Sequence, residues 1–464
     1  MNDFQRSATT EGDTIAAIAT PPGTAGLAVI RLSGEAALIV ADRVFRGVAL
    51  SSAGGYTVHF GHVVDGAGDL VDEVLATVFR APHSYTGEDA VEISCHGGAV
   101  VTRGVLRCVL EAGARHAEAG EFTRRAFLNG RIDLAQAEAV ADLIHARSEE
   151  AHRASLRQLE GALSVHVREL RDRLLHAASM IELGLDFVEE DVRFLTPEEL
   201  SGLLSETRTA MLRALDSYGT GRLVREGVRV ALLGRPNAGK SSLLNAMLGS
   251  DRAIVTDVPG TTRDFIEEGL LIRGELFRFI DTAGLRETDD IVEREGVART
   301  QALAREADIV CALSEAAGGA AAMDALTGDL LACGKELRFL PVFTKADLVS
   351  DGTRHTLASA GVPVSVIDGG GLDELGHRLA EMARGLGGIM EEGALMVTNA
   401  RHAQCLRDGV VAVARAEASL ADGRSEEFVA VDLRDAIARL GEIIGVVTSD
   451  DVLEGIFSRF CIGK

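Results

Sequence analysis

Residues 228–248, VRVALLGRPNAGKSSLLNAML, decide the fold. The apolar run Val228 to Leu233 reads as a buried strand, and SSLLNAML as the start of a helix. Between them, Gly234-Arg-Pro-Asn-Ala-Gly239-Lys240-Ser241 has the spacing G-x-x-x-x-G-K-[ST]. Glycines there let successive backbone N–H groups wrap phosphates, and the helix start adds its dipole. Lys240 is placed to reach the β- and γ-phosphates and the Ser241 hydroxyl to ligate Mg2+. Asn237, Ala238, Gly239 and Ser242 complete the cradle.

Working outward, residues 221–389 alternate strands (VRVALLG, LLIRG, LFRFID, DIVCAL, FLPVFTKAD) with helices, the rhythm of a doubly wound α/β domain. After LFRFI come Asp281, Thr282, Ala283 and Gly284. Asp281 suits Mg2+, directly or through water, and the Gly284 amide can sense a γ-phosphate. The stretch Thr256, Asp257, Val258, Pro259, Gly260, Thr261, Thr262 is rich in hydroxyls and turn formers, as a switch loop requires, with Thr262 as second Mg2+ ligand. Thr344-Lys345-Ala346-Asp347 follows the strand FLPVF. The Asp347 carboxylate can accept from the N1–H and N2–H2 edge of guanine, a pair adenine lacks. Thr344 stands where an Asn is more usual and offers one hydroxyl, which predicts weaker binding with discrimination kept. Ser365, in Ser365-Val-Ile367, occupies the expected base-backing loop. A GTP/GDP site follows.

For hydrolysis, Leu285 stands where a water-orienting Gln is common, and its apolar side chain cannot do that task. Arg263 and Arg286 read equally well as surface charges, and the residues alone do not choose between Glu287 and Glu293. Asn237 offers a neutral carbonyl that could hold a monovalent cation beside the phosphates.

The chain of 464 residues is too long for one core, and 47% hydrophobic with 25% charged residues is a folded composition. No apolar run approaches the ~20 residues that span a bilayer, and the polar first residues lack a signal-peptide core, so a cytoplasmic protein without membrane contact is expected. Six scattered cysteines argue against a disulfide framework or a zinc site. A net charge of −23 excludes indiscriminate nucleic-acid binding. Residues 1–126 mix strand-like runs (LAVIRLSG, EVLATVF, DAVEISCHGG) with helix and read as an α+β domain. Residues 127–220 and 390–464 read as one helical domain into which the α/β domain is inserted. Leu156, Leu159, Leu163, Val167, Leu170 and Leu174 predict one face of a single long helix, and Leu433, Ile437, Leu440 and Ile444 a second stripe.

Over nearly its whole length the sequence resembles the bacterial tRNA-modification GTPases called MnmE or TrmE. The resemblance is carried by Ala19-Thr-Pro-Pro-Gly23, Ile30-Arg-Leu-Ser-Gly34, Ser84-Tyr-Thr-Gly-Glu-Asp89, Phe127-Leu-Asn-Gly-Arg-Ile-Asp-Leu-Ala-Gln-Ala-Glu138 and the terminal Phe460-Cys-Ile-Gly-Lys464. It implies a folate-binding-like N-terminal domain that forms a homodimer, a helical domain, and an inserted P-loop GTPase domain activated by K+-dependent dimerisation. By resemblance Asn237, Thr256, Val258 and Thr261 would hold K+, and Glu293 would be catalytic through water alongside Lys240. Arg31, Glu92, Arg131 (a position often Lys) and Lys464 would bind a one-carbon tetrahydrofolate derivative, and Cys461 is a possible reactive thiol. With a flavoprotein partner, MnmG (GidA), the family adds an aminomethyl-type group at C5 of the wobble uridine, position 34, of certain tRNAs. The alternative is a GTP-switched ribosome-assembly factor, a class that shares Gly260-Thr-Thr-Arg-Asp264. Such proteins usually append an RNA-binding domain, often basic, where this chain has acidic helices. A dynamin-like mechanical GTPase is a weaker reading, since no basic membrane helix is evident.

Overall fold

The computed structural model describes residues 13–186, 196–249, 268–280, 302–331, 338–387 and 395–464. The chain divides into two compact units, Met1–Ala141 with Gln158–Asp172 and Ile437–Lys464, and Asp142–Arg157 with Arg173–Ala436.

In the first unit, seven strands among the described residues form one sheet: β1 (Ile15–Ile18), β2 (Ala25–Ser33), β3 (Phe45–Arg46), β4 (Thr57–Val64), β5 (Leu70–Phe79), β6 (Ala90–Gly97) and β7 (Arg115–His116). Their order is β3-β4-β5-β6-β2-β1-β7. Alternation decides the faces: Val74, Ala76 and Val78 of β5 are buried while Leu75 between them is exposed. The buried face meets the helices Ala37–Val44 and Ala99–Glu111, whose Leu38, Val40, Val105 and Val109 join Ile30, Val91 and Ile93 in one core. On the other face, Phe122 packs with Ile15 and Ala17 at one end, while Val58, Phe60 and Leu75 of β4 and β5 are exposed at the other. β4, TVHFGHVV, and β1, IAAI, lie outside the runs read as strands. In β4 a glycine and two histidines interrupt the apolar pattern, and β1 is only four residues long.

A second cluster of this unit gathers Phe127, Leu134, Leu453, Phe457 and Phe460 from the helices Glu121–Leu128, Leu134–His145 and Asp450–Phe457 and the turn after them. That packing delivers the C-terminus to the sheet. Ile462 bridges Ala119, and Gly463 at φ +98° passes so close to β1 that a Cβ would sit 2.3 Å from the Ile18 carbonyl. Only glycine fits there.

The leucine stripe from 156 to 174 is not one helix. Two helices, Glu149–Leu159 and Ala162–Asp186, are separated at Gly161, which has φ +93°. Leu163, Val167, Leu170 and Leu174 are buried as expected, but Leu156 is 39% exposed. A 3.6-residue period continues across a break of this kind, so periodicity alone cannot see it.

In the second unit, the helix Pro197–Asp216 starts at a complete capping box between Thr196 and Glu199. It packs on Ala400–Ala421; Leu204, Thr207 and Met211 of the first helix and Ala403, Leu406, Val413 and Ala416 of the second are buried. The sheet of this unit contains β8 (Val228–Gly234), β9 (Glu268–Ile272), β10 (Glu275–Ile280), β11 (Ile309–Glu315), β12 (Phe339–Thr344) and β13 (Val362–Pro363). Its order is β13-β12-β11-β8-β10-β9, parallel except for the edge hairpin of β9 and β10. Cores on both faces, one around Val230, Leu243 and Phe277 and one around Ala231, Val310 and Phe343, explain the continuous apolar runs. From β8 the chain runs to β10 on one side and later to β11 on the other. The crevice at the carboxyl end of β8 is therefore a topological switch point, where ligands of such sheets bind.

Candidate functional site

The phosphate-loop motif occupies that crevice. β8 ends at Gly234, the loop turns through Asn237 (φ +62°) and Gly239 (φ +86°), and the helix Lys240–Leu248 begins. These two positive-φ residues bend the backbone so that amides and the helix start face one concavity. Lys240 Nζ donates to the carbonyls of Gly234 at 2.9 Å and Arg235 at 3.0 Å, lying back over its own loop. Burial lowers the Lys240 pKa. Ser241 is half-buried in the first helical turn, Ala238 is buried, and Asn237 and Ser242 are exposed.

The base-reading motif lies at the same sheet edge. Thr344 closes β12, and its buried hydroxyl donates to the Ala238 carbonyl at 2.8 Å. Lys345 takes a left-handed conformation (φ +55°) and pairs with Glu315, the last residue of β11. Half-buried Asp347 sits in the turn Ala346–Leu348 and has no hydrogen-bond or ion-pair partner among the described residues. Arg354 Nε donates to the Ala346 carbonyl at 2.6 Å. Ser365 is buried beneath the following loop: its N–H donates to the Gly370 carbonyl at 2.9 Å, and the Ala346 N–H donates to Val364 at 3.1 Å. The loop after β13 is thereby laced to the motif turn. Lys240, Thr344, Lys345, Asp347 and Ser365 thus converge on one edge. Thr256, Asp257, Val258, Pro259, Gly260, Thr261, Thr262, Asp281, Thr282, Ala283, Gly284, Leu285, Glu287 and Glu293 lie outside the described residues, as do Arg263 and Arg286. Sequence reasoning missed Glu315 and Arg354, and only the register of β11 against β12, which sets Glu315 opposite Thr344, reveals the first.

A second charged pocket belongs to the other unit. Arg31 and Glu92 are cross-strand neighbours of β2 and β6. Arg31 Nε and Nη2 both meet Glu92 Oε1, at 2.9 and 2.8 Å, and Nη1 donates to the Gly463 carbonyl at 3.3 Å. The rings of Tyr85 and Phe122 hold the guanidinium at 5.5 and 5.7 Å from their centres. Burial raises the Tyr85 pKa against the opposing effects of its Thr123 hydrogen bond and the Arg31 charge. Lys464 is brought to the same place: burial, then the Arg31 charge, lower its pKa against the pull of Glu92 and Cys461. Arg131 is exposed and lies along Gly87, where a Cβ would meet its Cγ at 3.2 Å. Cys461 is exposed. Close by, Arg125, only 7% exposed, pairs with Asp13, Glu88 and Glu121, and Glu88 also accepts from Ser33 at 2.7 Å. Tyr85, Phe122 and Arg125 were not foreseen. The run Ser84-Tyr-Thr-Gly-Glu-Asp89 was the signal for the first.

The doubly wound sheet, the phosphate loop at its switch point and the carboxylate of Asp347 beside it define a P-loop GTP hydrolase. Among the described residues no helix is long and apolar enough to cross a membrane.

The family described as MnmE helical domain matches residues 134–461, and that described as GTP-binding protein TrmE N-terminus matches residues 14–131. The tRNA modification GTPase MnmE of Salinibacter ruber is 47% identical, with 98% of this chain and 100% of that protein covered. Its namesake in Chlorobium phaeobacteroides is 46% identical with 97% of each covered, and that of Geobacillus kaustophilus 43% identical with 98% and 100% covered. The G domain of the T. maritima FeoB iron transporter is similar over 34% of this chain and 98% of that one, at 28% identity and a TM-score of 0.25. The chain belongs to the MnmE family of tRNA modification GTPases.

Proposed function

We propose that this protein couples GTP hydrolysis to modification of C5 of the wobble uridine, position 34, in certain tRNAs, in the cytoplasm and together with the flavoprotein MnmG (GidA). The observation that carries the GTP half is the convergence of Lys240, Thr344 and Asp347 on one sheet edge, with the Asp347 carboxylate open. The tRNA half rests on relatives named tRNA modification GTPase that are covered over 97% or more of their length.

The domain division proposed is 1–126, 127–220 with 390–464, and 221–389. Ser241 and Thr262 would hold Mg2+, with Asp281 acting through water. Asn237, Thr256, Val258 and Thr261 would hold K+, and the exposed Asn237 side chain suits a carbonyl ligand. Positive charge at the β- and γ-phosphates is what the two ions supply when bound. Lys240 adds its own charge there, and Glu293 orients the attacking water through a second water.

The N-terminal pocket would take a tetrahydrofolate derivative. The fit lies in its donor set: Arg31 meets only Oε1 of Glu92, which leaves Oε2 free, among the described residues, to accept from a pterin N–H edge. Arg131 and Lys464 supply cations for glutamyl carboxylates. Cys461 is exposed enough to react. Val58, Phe60 and Leu75, 58%, 63% and 46% exposed on β4 and β5, suit a homodimer through this domain.

Mass spectrometry of tRNA from a strain lacking the protein is the test. Loss of 5-substituted wobble uridine is expected, whereas unchanged nucleosides with accumulated ribosomal precursors would overturn the reading in favour of an assembly factor. Replacing K+ by Na+ should slow turnover strongly, and equal rates would remove the cation site.

A further inference from the structure

Thr344 is 4% exposed, and its side chain has one proton to donate. The Ala238 carbonyl accepts it at 2.8 Å, and the Ser314 carbonyl stands as a longer second acceptor at 3.4 Å. Ala238 lies between Asn237 and Gly239, the two residues whose positive φ bends the phosphate loop. The loop is therefore tied at its bend to the end of β12, and the tie is a side chain of the base-reading motif.

We propose that Thr344 is a positioning residue: it fixes the phosphate loop through Ala238 and gives the base no hydrogen bond, so that guanine is read by Asp347 without help from position 344. The inference rests on the guanine-nucleotide reading of this edge. Guanine presents two kinds of edge. Its N1–H and N2–H2 donors suit a carboxylate, while N7 and O6 are acceptors that call for a donor. An asparagine has two N–H donors, enough for the Ala238 carbonyl and for one ring acceptor. Threonine has one, already committed. The N7 side of the base accordingly goes unread by this residue.

The test is equilibrium binding of GDP and 7-deaza-GDP, which lacks the N7 acceptor, to the full-length protein with Mg2+. The wild type binds the two within about twofold of each other. Thr344→Ser keeps the hydroxyl and the wild-type affinity. Thr344→Val loses about tenfold for both ligands, because the loop is freed and the Ala238 carbonyl is left without its donor. Thr344→Asn comes to prefer GDP over 7-deaza-GDP by about tenfold. A wild-type protein that already prefers GDP fivefold or more overturns the proposal, as does a Thr344→Val protein that binds GDP like the wild type. If Thr344→Val fails to fold by circular dichroism, the wild-type comparison and Thr344→Asn still decide. A wild type that binds neither ligand overturns the underlying nucleotide reading as well, which the other outcomes leave standing.

Discussion

The phosphate loop and the N-terminal pocket each gather polar and charged groups, and they are built in opposite ways. The loop is one run of chain, 234–241, whose ligating groups are backbone amides aimed by the φ angles of Asn237 and Gly239. The pocket is made of side chains drawn together from Arg31, Tyr85, Glu92, Phe122 and the C-terminus, with 432 positions separating Arg31 from Gly463. A backbone-made site is written locally, in the residues that permit its dihedral angles. A side-chain-made site is written in the topology that brings its members together.

If that contrast holds, a single side chain in the nucleotide unit should change chemistry without touching the other unit. Asp347→Asn is the sharpest case. An amide cannot accept from both N1–H and N2–H2 of guanine, but it can accept from N1–H and donate to the C2 carbonyl of xanthine. GTP turnover, measured as kcat/KM, should fall by roughly 10³-fold while XTP becomes the better substrate. The melting of the N-terminal unit should stay where it was. A variant that still prefers GTP would break the assignment of the base-reading edge.

Two glycines compare the regions directly. At Gly463 a Cβ would lie 2.3 Å from the Ile18 carbonyl, a backbone atom that cannot step aside, and φ is +98°. Gly463→Ala should expel the terminal segment, remove Lys464 from the pocket and destabilise the N-terminal unit by about 3 kcal/mol. At Gly239 the nearest atom stands 3.7 Å away, so only the φ of +86° resists, at about 1 kcal/mol. Calorimetry on both variants decides the order. A larger loss at Gly239 would show that dihedral strain, not contact, governs both places.

Acid should separate the regions further. Burial pushes the Asp13 and Glu121 carboxyls up, yet hydrogen bonds and charges from Arg115 and Arg125 outweigh it and hold both below their ordinary values of 3.8 and 4.5. Groups with depressed folded pKa values lend stability that is fully present above those ordinary values and is lost as pH falls through the lower folded ones. The N-terminal unit should therefore weaken as pH drops below 4.5. In Arg125→Met the unit is less stable near neutrality, and its acid dependence should be flatter. Parallel acid-unfolding curves for the two proteins would show that the cluster does not titrate with folding.

Legibility in the sequence follows the same division. The strand, loop and helix of 228–248 could be read outright, because Gly239 and the apolar run of β8 carry their meaning in their immediate neighbours. Thr344, Asp347 and Ser365 were found by motif, and the structure brings them to the edge where Lys240 lies. Arg31 and Glu92 had no such signal, since a lone arginine and a lone glutamate in two strands look like surface charges until the register sets them opposite each other. Resemblance to a family named them, and periodicity would not have. The break at Gly161 failed for a related reason: the heptad-like stripe continues through it, and only the positive φ tells that two helices meet there.

The smallest predicted effect concerns the two ion pairs that mark the two sites. Lys345 and Glu315 are 39% and 44% exposed, whereas Arg31 and Glu92 are 17% and 29% exposed. Water screens the first pair, and holding two long side chains in one geometry offsets most of what attraction remains. Glu315→Gln should shift the unfolding free energy by less than about 0.5 kcal/mol. Glu92→Gln removes the charge facing a guanidinium enclosed by two rings, and should cost about 2 kcal/mol, less than a fully buried pair because water still reaches it. Chemical denaturation followed unit by unit measures both. Equal losses at the two positions would mean that exposure does not set the strength of these pairs, and the pocket would then owe its order to the rings of Tyr85 and Phe122 rather than to charge.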